Sequence, residues 1–136
     1  MNRFEGKKVF LTGAASGVGK ATHALFRAEG ADVVAVDLNP APDVIACDVT
    51  DTPAIVDLVM SHGPFDVLLN VAGICKLGHP TQVTMEEWNR QVAVNPTAPV
   101  VIRQGALPGW IRPTGNTRNR GRRAGGGGPA PPTAAH

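Results

Sequence analysis

A glycine-rich turn between an apolar run and a helical pattern governs the first third of this chain. Lys8-Val9-Phe10-Leu11 reads as a buried strand. Thr12-Gly13-Ala14-Ala15-Ser16-Gly17-Val18-Gly19 follows as a tight turn, and Lys20 to Phe26 reads as the helix it opens. Glycines permit the turn and a close backbone approach, while a helix N-terminus offers unpaired N–H groups and a partial positive charge. A strand, turn and helix in this order suit a dinucleotide pyrophosphate. Gly13, Ser16, Gly17, Val18 and Gly19 are therefore candidate binding residues.

Downstream, strand and helix signals alternate. The first helix runs from about Gly17 to Glu29, with Gly30 just past its end. Val18, Ala21, Leu25 and Ala28 fall at helical spacing. The second strand is Asp32 to Val36, ending at Asp37. Leu38-Asn39-Pro40-Ala41-Pro42 is too short and too rich in proline for a helix, so the third strand, Val44 to Cys47, follows closely. Asp51 or Thr52 caps a helix with Pro53 in its first turn, running to about Met60. The fourth strand is Phe65 to Asn70. A helix from about Met85 to Val94 follows. Pro96 and Pro99 are expected to interrupt it before Val100 to Leu107 resume. Such alternation argues for an α/β fold, a Rossmann-like doubly wound parallel sheet. Right-handed crossovers give the strand order 3-2-1-4.

The net charge of +2 hides an asymmetry. Residues 1–111 hold eight Lys or Arg against eleven Asp or Glu, whereas residues 112–136 hold five Arg and no acid. The basic balance belongs to the tail, which has no aromatic side chains to stack on bases, so the chain does not read as a nucleic-acid binder. The tail has no large apolar residue and cannot offset its chain entropy by burial, so 112–136 is expected to be disordered and 1–111 to form the folded unit. Cys47 and Cys75 are in no metal-ligand spacing and read as reduced thiols, Cys75 as a small apolar filler. No apolar run reaches the roughly 18 residues needed to span a bilayer. The expectation is a cytoplasmic protein without a membrane partner. His23 and His62 read as surface residues near helix ends, and His79 as a loop surface residue.

Four elements in register over residues 5–111 resemble the short-chain dehydrogenase/reductase family. Thr12-Gly13-x-x-x-Gly17-x-Gly19 resembles its cofactor turn. Asp48, in Cys47-Asp48-Val49, resembles its adenine-contacting aspartate. Asn70-Val71-Ala72-Gly73 resembles its Asn-x-Ala-Gly motif, and Asn95 resembles the helix asparagine that supports its proton relay. The resemblance implies hydride transfer between a nicotinamide dinucleotide and a small alcohol or carbonyl, and homo-oligomers in full-length relatives. It implies a cofactor site built from the turn residues with Asp37, Leu38, Asp48, Val49, Asn70, Ala72 and Gly73, and Asn95 on the catalytic side. Asp37 lies 18 residues after Gly19, near the roughly 20 expected of an acid holding ribose hydroxyls. A carboxylate there repels a 2′-phosphate, and Ser16 is uncharged where NADP-preferring relatives often carry a base, so NAD is expected over NADP. Asp37 also reads simply as a solvated strand-end acid, Asp48 as a turn residue, Asn70 as a strand-end cap and Asn95 as a helix breaker with no chemistry.

The family's chemistry uses a tyrosine, a lysine four residues later and a serine, because a phenol of pKa about 10 needs help to move a proton near neutrality. This chain contains no tyrosine, and its only serines are Ser16 and Ser61. None of the three can be carried over. The family pattern fades after Ile111, and the Arg-, Gly- and Pro-rich composition beyond it is what GC-rich codons give out of frame. Two expectations follow: an oxidoreductase with a truncated or frameshifted end, or a catalytically inert nucleotide-binding fragment.

Overall fold

A computed structural model describes residues 2–110; the tail expectation for 112–136 lies outside the described residues. Four parallel strands, β1 (Lys8–Thr12), β2 (Asp32–Asp37), β3 (Ile45–Ala46) and β4 (Val67–Asn70), form one sheet in the order β3-β2-β1-β4. Val9 pairs with Val33 on one side and Val67 on the other, and Thr12 with Val36 and Asn70. Among the described residues β4 is an edge strand.

The period of two along each strand sorts the side chains into two layers. Phe10, Val34, Val36 and Leu68 pack toward α2 (Thr52–His62) and α4 (Ala98–Trp110), where Ile55, Val59, Ile102 and Ala106 complete the larger core. Leu11, Ala35, Val33 and Leu69 face the other way into a smaller cluster. Right-handed crossovers put α1 (Gly17–Ala28) on that second face. Asp51, rather than Thr52, caps α2: its carboxylate accepts from the Ala54 N–H at 3.2 Å. Gly30 and Ala31 close α1 by donating to the Arg27 and Phe26 carbonyls, both at 3.0 Å, the Schellman arrangement.

Several expectations need correction. Val18, Ala21, Leu25 and Ala28 do fall at helical spacing on α1, but they face solvent: Val18 is 72% and Leu25 55% exposed, and Ala21 and Ala28 are exposed too. The buried face carries Gly19 and His23, with Phe26 stacked on Phe4 at 4.4 Å. The first turn of α1 must lie against the glycine turn, and that rotates the apolar stripe outward. His23 is consequently buried, not a surface residue. β3 shrinks to two residues because Val44 forms an antiparallel bridge with Ala41 in the tight β2–β3 link. Phe65 precedes β4 and packs on Phe10 at 5.2 Å. Pro96 and Pro99 do not interrupt the helix. α3 (Met85–Val92) passes through a π-helical segment, Ala93–Thr97, directly into α4. The Ala98 N–H reaches back to the Ala93 carbonyl, and this wider register absorbs the donor missing at Pro96, while Pro99 falls in the first turn of α4.

Candidate functional site

All four strands end at one rim, and β1 and β4 lead away from it in opposite directions. In open α/β sheets that divergence marks the ligand crevice. A cavity of about 530 Å³ opens there, between the glycine turn, the ends of β2 and β3, the loop after β4 and one face of α3.

The glycine turn is held by its neighbours. Thr12 is buried, and its hydroxyl accepts from the Val71 and Ala72 amides, both at 3.2 Å. This joins the end of β1 to the loop after β4. Gly13 has φ +74°, and a Cβ on it would lie 2.6 Å from the Ala72 nitrogen. On Gly19 a Cβ would lie 1.8 Å from the Gly13 carbonyl oxygen. No larger residue fits either position without moving backbone. The Ser16 side chain makes no capping hydrogen bond and no acid occupies the first turn of α1. The first N–H groups of a helix have no intrahelical acceptor, so Ser16, Gly17, Val18 and Gly19 present an open, electropositive helix end to the cavity.

Two carboxylates line the same cavity. Asp37, at the end of β2, accepts from the Ala15 N–H at 3.0 Å and the Asn39 N–H at 2.9 Å. It therefore ties the rim of β2 to the glycine turn and retains acceptor capacity, since each carboxylate oxygen has two lone pairs. Leu38 and Asn39 line the cavity beside it. Asp48 accepts from the Thr50 N–H at 2.9 Å and the Thr50 hydroxyl at 2.7 Å through one oxygen, and from Arg90 at 3.1 Å through the other. Burial pushes the Asp48 carboxyl up, but the Thr50 N–H and hydroxyl and the Arg90 guanidinium outweigh it and hold the group below its ordinary value. Val49 lines the cavity next to it.

The loop after β4 forms the remaining wall through Val71, Ala72, Gly73 and Ile74. Asn70 is exposed at the end of β4 and lies outside the cavity lining. Asn95 is also outside the lining, yet it braces the wall. Its Oδ1 accepts from the Ile74 N–H and its Nδ2 donates to the Ile74 carbonyl, both at 2.9 Å. The π-helical segment carries Asn95 to that position. α3 is anchored beside this loop by a capping box between Thr84 and Glu87 and by the Lys76–Glu87 ion pair. Cys75 is exposed, not a filler, because this loop runs over the surface. His79 is exposed, with Nδ1 2.7 Å from the Thr81 hydroxyl.

The family model for short chain dehydrogenases matches residues 7–122. The chain belongs to that family. This short-chain dehydrogenase sequence is 34% identical over 120 residues to the 2-keto-3-deoxy-L-fuconate dehydrogenase of Xanthomonas campestris, covering 80% of this chain and 40% of that protein. It is 34% identical over 112 residues to the 2,3-dihydro-2,3-dihydroxybenzoate dehydrogenase of Bacillus subtilis, covering 68% and 43% respectively. The fold superposes on the ligand-free aldohexose dehydrogenase of Thermoplasma acidophilum with a TM-score of 0.72 at 30% identity, over 79% of this chain and 46% of that one. The chain thus spans less than half the length of each of these short-chain dehydrogenases. The family implies a nicotinamide dinucleotide cofactor, and among the described residues no helix is long and apolar enough to cross a membrane.

Sequence reasoning missed Asn39, Ile74, Arg90 and Val94 as cavity residues, and took Val71 only as a motif position. Arg90 and Val94 are four apart and so share a helix face, the one signal available before the fold brought α3 against Asp48.

Proposed function

We propose that these residues form the coenzyme-binding part of an NAD-dependent oxidoreductase acting on a small alcohol or carbonyl compound. The observation that carries this reading is one cavity joining an open helix N-terminus, made tight by Gly13 and Gly19, to the carboxylates of Asp37 and Asp48. In this reading Ser16, Gly17, Val18 and Gly19 hold the pyrophosphate, Asp37 and Leu38 the adenosine ribose, Asp48 and Val49 the base, and Ala72 and Gly73 the nicotinamide side. Asn70 closes the strand beneath them. When bound, a nicotinamide dinucleotide would supply in its ring the hydride acceptor or donor. The chain's own residues bind and orient that ring, with Asn95 keeping the Ile74 wall in place. The dehydrogenase names of the relatives favour an alcohol or carbonyl substrate.

Asp37 favours NAD: a 2′-phosphate at that end of the cleft meets a carboxylate already fixed by two amides. Calorimetric titration of the 136-residue chain tests this. NADP should bind at least about tenfold more weakly than NAD, the equivalent of about 1.4 kcal/mol. Asp37→Asn, which loses the charge but keeps an acceptor oxygen, should bring the two within about threefold. Equal or tighter binding of NADP by the unaltered chain would contradict the assignment.

A second reading, a coenzyme binder without turnover, is favoured by the absence of tyrosine from the 136 residues. No phenol is present here to carry the proton that accompanies hydride. An NADH absorbance assay of this polypeptide over alcohols and ketones should then stay at background.

A further inference from the structure

Arg90 stands in the cavity wall and closes a three-membered polar ring with Asp48 and Thr50. Its Nη2 donates to Asp48 Oδ2 at 3.1 Å and its Nη1 to Thr50 Oγ1 at 3.3 Å. The Thr50 hydroxyl in turn donates to Asp48 Oδ1, which also accepts from the Thr50 amide. With two donors, Oδ1 is filled. Oδ2 has one donor and one lone pair left. The carboxylate is thereby fixed in rotation, kept ionised, and left with a single acceptor position on a residue that lines the cleft. The planar guanidinium supplies two donors in a fixed fork, which a lysine cannot reproduce.

We infer that Arg90 is a positioning residue that aims Asp48 at an exocyclic amine of the coenzyme base, so that the cleft selects adenine over a base with a carbonyl at that place. The inference rests on the reading of the cleft as a dinucleotide site and adds a residue and a selectivity to it. An amine donates to the remaining lone pair of Oδ2, whereas a carbonyl sets acceptor against acceptor. Sites built to receive a hydrogen-bonding group reject analogues lacking it far more strongly than apolar pockets do.

Titrating the full 136-residue chain with ADP-ribose and with its hypoxanthine counterpart, inosine diphosphate ribose, gives the test. The unaltered chain should prefer ADP-ribose by about tenfold, the scale of one charge-assisted hydrogen bond. Arg90→Leu should reduce that preference to about twofold or less, with the hypoxanthine ligand still bound, because an unheld Asp48 loses its aim. Arg90→Lys should restore part of it, keeping the cation without the fork. Arg90 is exposed on its helix, its side chain 44% accessible, so the leucine meets no buried core. Equal weakening of both ligands in Arg90→Leu would mean that Arg90 merely braces α3, and would overturn the inference while leaving the cleft assignment standing. Failure of the unaltered chain to bind either ligand would overturn both.

Discussion

At the scale of single residues, the glycines of the turn and His23 make opposite cases. Gly13 and Gly19 were legible in the sequence because only one residue type suits a turn where backbone meets backbone. His23 was not, because its burial depends on how Gly19 rotates α1 and on nothing adjacent in the sequence. His23 is 8% exposed, and its Nε2 has no hydrogen-bond partner among the described residues. Burial first, and then the Arg27 cation, push its pKa below the ordinary value, with Asp43 opposing. A histidine whose folded pKa is depressed contributes stability that is fully present above the unfolded value of about 6.5 and is lost as pH falls through the folded value. The carboxyls of Asp48, Glu29 and Glu87 are also held low, so their contributions vanish only as pH falls below about 4.5. Acid destabilisation should therefore begin with His23. Urea midpoints measured between pH 8 and pH 5 should fall for the unaltered chain and stay nearly flat for His23→Leu. The variant should be at least as stable at pH 8, since an orphaned buried polar atom costs about 1–3 kcal/mol. Identical pH dependence in both proteins would refute the assignment.

At the scale of elements, the strands were read closely because a period of two and a buried apolar run leave few alternatives. The apolar spacing of α1 marks it as a helix but does not mark its packed face. Exposed Val18 and Leu25 imitate a core stripe, while the fully buried positions are Gly19 and His23, which carry no apolar signal. Pro96 and Pro99 were expected to break a helix. The chain instead widens its register over Ala93–Thr97, a tertiary solution that local propensity cannot foresee. That widening has a use: it holds Asn95 where the oxygen and the nitrogen of its side-chain amide both bond to the Ile74 backbone. Asn95→Ala should thus leave α3 and α4 formed but free the loop after β4. Amide hydrogen exchange at residues 71–76 should accelerate about tenfold or more, given about 1–3 kcal/mol for two lost backbone partners. Unchanged exchange there would show that the π-helical segment does not support the wall.

At the scale of the whole molecule, the sheet order follows from the crossover rule, and the crevice follows from the order. Residues far apart in the chain, from Gly13 to Val94, meet only because β1 and β4 lie side by side with helices leaving toward opposite faces. Much of this cleft could be listed from motifs, but Arg90 could not, since its partner Asp48 lies across the fold. In the proposed function this rim receives a dinucleotide with its phosphates at the start of α1 and its base against Asp48. The most direct measurement is an amide chemical-shift map of the 136-residue chain titrated with ADP-ribose. Saturable shifts are expected at Gly13, Gly17 to Gly19, Asp37 and Asp48, with α2 and the exposed face of α1 unmoved. Saturable shifts confined to other surfaces, or none at millimolar ligand, would contradict the proposed function.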